Sequence, residues 1–120
     1  MNYFFDTYAL VEITKINKNY EQYSTFPIVT TTLNLSEFYF YLLSNLKENE
    51  ANETLKKFNF SFIEVNENTA KEAARFRKIN YKRKLSYIDC IGYILAKNMN
   101  FKFLTGEDFF ENLENVEFVR

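Results

Sequence analysis

Short apolar runs, set between longer segments of helical periodicity, constrain this chain more than any other feature of it. Tyr3-Phe4-Phe5, Pro27-Ile28-Val29-Thr30, Ser61-Phe62-Ile63-Glu64-Val65, Phe101-Lys102-Phe103-Leu104 and Val116-Glu117-Phe118-Val119 read as short strands. Residues 7–13 read as a short helix that fades into a polar stretch from Lys15 to Asn19. Leu35, Phe38, Leu42 and Leu46 recur at helical spacing over 34–47, with Asn34-x-x-Glu37 as a capping box at the start. Further helices are expected over 49–58, over 67–83 and from Ser86-x-x-Asp89 to Lys97. Strands that alternate with helices require a parallel sheet covered on both faces, so the expected fold is α/β, a three-layer α/β/α sandwich with a short central sheet. At 120 residues the chain is expected to be a single domain over 1–120.

The residue inventory narrows the chemistry. There is no His and a single Cys, Cys90. That removes Cys–His catalysis, an intrachain disulfide and the usual ligand set of a structural zinc. Acid–base or metal chemistry must then run on carboxylates, Lys, Tyr or water. The first residues lack a basic segment and reach an acid at Asp6, unlike a signal peptide. No apolar stretch approaches the roughly 20 residues of a membrane span. The expectation is a cytoplasmic protein without a membrane partner. With glycines only at 92 and 106, no phosphate-binding Walker loop exists. Tyr8 stands where a haloacid-dehalogenase-type phosphatase needs a second Asp. The single early acid also argues against a phosphoryl-receiver domain.

Four acids remain. In open parallel sheets, ligands gather beyond the carboxyl ends of the strands. Asp6 directly follows the first strand and Glu107 follows the Phe101–Leu104 strand after two residues. Glu37 and Asp89 sit in the first turns of helices that should begin on the same side. Gathered carboxylates repel one another, so such a cluster suits a hard divalent cation with oxygen ligands. Each acid also has an ordinary structural reading: Asp6 as a helix cap, Glu37 and Asp89 as capping-box acids, Glu107 as a turn residue. Asp6, Asp89 and Glu107, with Asp108 in reserve, are the expected metal ligands. Glu37 binds the ion directly or through water, or orients the attacking water. Thr7, Ser86 and Thr105 are the hydroxyls placed to orient these acids, and Glu12 is a weaker candidate for the rim.

Net charge is −1, yet residues 71–84 hold seven cations against Glu72 alone. Arg75, Lys78, Lys82, Arg83 and Lys84 in this stretch are candidates for contacts to a nucleic-acid backbone.

Four motifs in order resemble the PIN domain family. They are Phe4-Phe5-Asp6-Thr7-Tyr8-Ala9-Leu10, Asn34-Leu35-Ser36-Glu37-Phe38-Tyr39, Ser86-Tyr87-Ile88-Asp89 with its apolar helix to Ala96, and Leu104-Thr105-Gly106-Glu107-Asp108-Phe109-Phe110. The resemblance covers the whole chain. It implies a Mg²⁺- or Mn²⁺-dependent endoribonuclease of the kind that acts as the VapC toxin of a toxin–antitoxin pair, with RNA as substrate, a small antitoxin as partner and a homodimeric assembly. The fourth motif departs from the family, with Glu107 where Asp is usual. The competing expectation is a PIN-fold RNA-binding or interaction protein with weak or no catalysis.

Overall fold

The computed structural model describes residues 2–120. Five strands form one wholly parallel sheet: β1 (Tyr3–Phe5), β2 (Ile28–Thr30), β3 (Phe60–Phe62), β4 (Lys102–Thr105) and β5 (Val116–Phe118). Their order across the sheet is β3-β2-β1-β4-β5. The α-helices are α1 (Thr7–Thr14), α2 (Thr32–Asn45), α3 (Glu48–Leu55), α4 (Glu67–Ile79) and α5 (Tyr87–Asn98).

Alternation along the two central strands builds two cores. Phe4 and Phe103 face α4 and α5, where they pack with Cys90, Tyr93, Ile94 and Phe110. Phe5 and Leu104 face the other way, toward Ala9, Leu10, Phe38 and Leu42 of α1 and α2. All four strand residues are fully buried. Apolar residues at successive positions thus serve both faces, the pattern of a strand covered on two sides. The expected α/β/α sandwich with a short parallel sheet is the observed fold.

Several local expectations shift. The helix expected at 34–47 runs from Thr32 to Asn45 and so starts two residues earlier, because Thr31 caps it: Thr31 Oγ1 accepts the Asn34 amide N–H at 3.1 Å. Asn34 is therefore inside the helix and is not its cap. The helix expected over 67–83 stops at Ile79; a 3₁₀ turn (Tyr81–Arg83) and a left-handed Lys84 follow. Its inward stripe is Thr69, Ala73 and Phe76, while Ala70, Ala74 and Ile79 face solvent. A 3₁₀ segment, Lys18–Thr25, occupies part of the stretch read as polar loop and buries Tyr20 and Tyr23. The third strand lies at 60–62, a residue earlier than expected and shorter. Among the described residues, no helix is long and apolar enough to cross a membrane.

Candidate active site

The strand order places β1 between β2, its successor among the strands, and β4. The connections leave β1 in opposite directions there, and a crevice opens beyond the strand ends. Asp6 extends β1 into it and remains tied to the sheet, its N–H donating to Leu104 O at 3.1 Å. Glu107 leaves β4 beside it through Thr105-Gly106. Gly106 is needed there for close approach: a Cβ would lie 2.3 Å from the Tyr8 ring and 2.5 Å from Val119 O. Glu37 comes from α2 and Asp89 from the first turn of α5. These four acids line one cleft of about 730 Å³, together with Thr7, Tyr8, Glu12, Lys15, Ser36, Phe40 and Ser86.

Each carboxylate is held differently. Asp6 is 1% exposed. It stands at the N-cap position of α1, yet its side chain caps nothing. Thr105 Oγ1 donates to its Oδ2 at 2.7 Å, and Oδ1 is buried with no hydrogen-bond partner among the described residues. Glu37 Oε1 accepts from Thr7 Oγ1 at 2.6 Å. With the Asn34 amide taken by Thr31, the capping box expected at Asn34-x-x-Glu37 does not form, and the Glu37 carboxylate is released to the cleft. Asp89 does form its capping box: its amide donates to Ser86 Oγ at 3.0 Å, and Ser86 N–H donates to its Oδ2 at 3.3 Å. Glu107 is the exposed member, and its amide is fixed by Thr105 Oγ1 at 3.1 Å.

The acids feel burial and one another. Burial holds Asp6 well above the ordinary carboxylate range, and the nearby Asp89 and Glu107 add to this; the Thr105 hydrogen bond opposes it. Glu37 and Asp89 are also raised by burial, against hydrogen bonds from Thr7 and Ser86 respectively. Although Glu107 is exposed as a residue, partial desolvation raises its carboxyl, followed by the charges of Asp89, Asp108 and Glu37. Among the described residues no three acids close into a ready-made metal cage. An open arrangement still fits Mg²⁺, which keeps several waters and takes one or two protein carboxylates. The all-oxygen donor set and the orphaned Asp6 Oδ1 fit a hard cation as well.

The remaining sequence candidates divide. Thr7, Ser86 and Thr105 each hydrogen-bond one of the four acids or its backbone. Asp108 does not line the cleft; it pairs with Arg120, because the 3₁₀ turn Asp108–Phe110 carries it outward. None of Arg75, Lys78, Lys82, Arg83 and Lys84 lines the cleft. Arg75 borders a separate surface hollow on α4, and Arg83 lies over the Phe109 ring at 5.0 Å. Lys82 to Lys84 nonetheless immediately precede the Ser86 cap. Sequence reasoning missed Lys15, among the described residues the one cation lining the cleft, 3.4 Å from Glu12. Its place just past the end of α1, four residues beyond Val11, was the available signal. Reasoning also missed Arg77, whose Nε donates to Leu85 O at 2.9 Å and whose guanidinium stacks 4.1 Å over Tyr87. That pair braces the turn that presents Ser86 and Asp89.

Fold and cleft together define a doubly wound α/β protein with a cluster of acids at its topological switch point. The PIN domain profile matches residues 3–116, and the chain belongs to that family. No curated protein sequence matches the chain. Among solved structures it is similar to a chain of a toxin–antitoxin complex from Klebsiella pneumoniae, with 18% identity, 98% of this chain and 96% of that one covered, and a TM-score of 0.72. It is similar to a chain of VapBC2 from Rickettsia felis, solved with a DNA fragment from its promoter, at 16% identity, 99% and 98% coverage and a TM-score of 0.74. It also resembles Mycobacterium tuberculosis VapC20, a sarcin–ricin loop cleaving toxin, at 12% identity, 87% coverage of each chain and a TM-score of 0.71.

Proposed function

We propose that this chain is a single-domain, Mg²⁺- or Mn²⁺-dependent endoribonuclease and the toxin of a toxin–antitoxin pair. Membership of the PIN family supports a hydrolase acting on nucleic acid. The observation that carries the finer reading is Asp6: a buried carboxylate with one oxygen unpartnered, in a cleft with three further acids. A protein gains nothing structurally from such a group, and a cation would relieve both the desolvation and the repulsion.

In this reading Asp6, Asp89 and Glu107 would hold the cation, one or two of them directly and the rest through its waters. Mg²⁺ or Mn²⁺ supplies a Lewis acid that activates water and stabilises charge on a phosphate. Thr105 fixes the Asp6 carboxylate through Oδ2 and leaves Oδ1 for binding. The Ser86 backbone N–H holds Asp89 through Oδ2, and such outer hydrogen bonds orient ligand oxygens. Glu37, anchored through Oε1 by Thr7, keeps its other oxygen to orient the attacking water. Lys15 meets a phosphate at the open end of the cleft, and the basic residues from Arg75 to Lys84 hold the RNA backbone beside α5. Likeness to structures of toxin–antitoxin complexes supports a small antitoxin as partner, and the family resemblance suggests a homodimer.

The test is cleavage of a generic RNA by purified protein with Mg²⁺ or Mn²⁺. Cleavage that disappears with EDTA and with Asp6→Asn supports the reading. Absence of metal-dependent cleavage at any concentration of either ion sinks it in favour of a non-catalytic RNA-binding protein.

A further inference from the structure

Asn34 is 1% exposed in the first turn of α2, where a buried amide needs hydrogen-bond partners. Its amide joins four side chains into one line. Thr31 Oγ1 donates to Asn34 Oδ1 at 2.6 Å, Asn34 Nδ2 donates to Thr7 Oγ1 at 3.0 Å, and Thr7 Oγ1 donates to Glu37 Oε1 at 2.6 Å. Asn34 itself does not line the cleft, so it touches Glu37 only through Thr7.

The direction of this line follows from the donor inventory. A hydroxyl carries one proton, an amide nitrogen only donates and a carboxylate only accepts. Because Thr7 Oγ1 receives the Asn34 N–H, its own proton is left for Glu37. Were the amide turned over, Asn34 Oδ1 and Glu37 Oε1 would both face Thr7 and compete for that proton, and Thr31 would lose its acceptor. Only one orientation satisfies every short contact. An apolar residue would fill this helix position without the desolvation that a buried amide carries, and among the described residues the one hydrogen bond that Nδ2 makes is to Thr7.

We propose that Asn34 is a positioning residue: its buried amide fixes the direction in which the Thr7 hydroxyl donates and so holds the Glu37 carboxylate against the cleft in one rotamer. The inference rests on the nuclease reading of the cleft and adds a residue that acts on Glu37 from behind it.

Asn34→Leu removes both polar atoms and keeps the branched shape and heavy-atom count in a bulkier side chain, and Thr7→Val replaces the hydroxyl by a methyl. Hydrogen-bond partners of this kind are worth on the order of 10–100-fold. Each variant is expected to lower kcat for RNA cleavage by at least about tenfold, with KM changed less than about twofold. The double variant should lose no more than the worse single one, because the two residues act in series. Thr7→Ser should recover most of what Thr7→Val loses. A crystal structure of metal-free Asn34→Leu should show the Glu37 carboxylate displaced from Thr7. Losses that multiply in the double variant overturn the inference, as does a Glu37 that keeps its native rotamer in Asn34→Leu. Circular dichroism establishes folding, and Asn34→Ala is carried through the same arms if Asn34→Leu does not fold. Wild-type protein without cleavage defeats the nuclease reading alone, and the crystallographic arm still decides the role of Asn34.

Discussion

Replacing Asp6 with Asn should stabilise the metal-free protein. The Asp6 carboxyl is buried, has one oxygen without a partner and sits near the charges of Asp89 and Glu107. Asn keeps the shape and an acceptor for Thr105 while it removes the charge. Asn leaves an amide nitrogen unpaired where Oδ1 stood, so only the part of the cost that comes from the charge is recovered, on the order of 1–3 kcal/mol. Unfolding entropy of roughly 2.1 cal/mol/K per residue gives a chain of 120 residues about 0.25 kcal/mol/K, so a gain of 1–3 kcal/mol raises Tm by about 4–12 °C. The pH dependence has a definite sign. The folded-state pKa is raised, so the native protein holds its proton after the unfolded chain has released it, and wild-type stability falls as pH rises between the two values. The advantage of Asp6→Asn should be absent below the ordinary carboxylate range, open as pH rises and persist at pH 7. Added Mg²⁺ should reverse the ranking at saturation: an ion at 1,000 times its Kd stabilises the wild type by about 4.1 kcal/mol, and the variant gains little. The assay is thermal unfolding by circular dichroism across pH, with EDTA or Mg²⁺. An Asp6→Asn protein that melts at or below the wild-type temperature in EDTA at pH 7 would refute the reasoning. Equal gains from Mg²⁺ in both proteins would refute it too.

Other outcomes follow from the same geometry. Ser86→Ala removes the hydroxyl that caps α5 through the Asp89 amide while the Ser86 N–H still holds the Asp89 carboxylate, and should cost about 1 kcal/mol, read as a lower urea midpoint with an unchanged slope. Glu107→Asp should retain cleavage and Glu107→Gln should lower it by at least about tenfold, whereas Asp108→Asn, outside the cleft and paired with Arg120, should leave the rate within about twofold; single-turnover assays check all three. Lys78→Ala with Lys82→Ala should flatten the salt dependence of RNA affinity by about 1.4 in log–log slope, since each single-strand phosphate contact contributes roughly 0.7; an unchanged slope would remove those lysines from the interface.

What could be read from the sequence was mostly local. Ser86-x-x-Asp89 caps α5 because both hydrogen bonds close within four residues. Tyr3-Phe4-Phe5 signals a strand covered on both sides because alternate residues enter two cores, whatever those cores contain. Asp6 and Glu107 could be placed at one rim because each directly follows a strand, and parallel strands end on the same side. The pattern Thr31-Thr32-Leu33-Asn34 was ambiguous by itself. Either Thr31 or Asn34 makes a good helix cap, and the choice falls to Thr31 because Asn34 finds a partner in Thr7, 27 residues away. That distant contact also frees Glu37 from a cap and turns it toward the cleft. The fate of Asp108 was equally hidden, since Arg120 reaches it only after β5 has laid the chain end beside β4. The basic stretch looked continuous in sequence, but the helix ends at Ile79 and its cations scatter around α4 and the following turn. Sequence by itself determined the strands, the caps made by near neighbours and which acids could meet, because periodicity and short-range hydrogen bonds set these. Only the tertiary structure decided which acids are free of structural work, because that depends on partners brought together by the sheet.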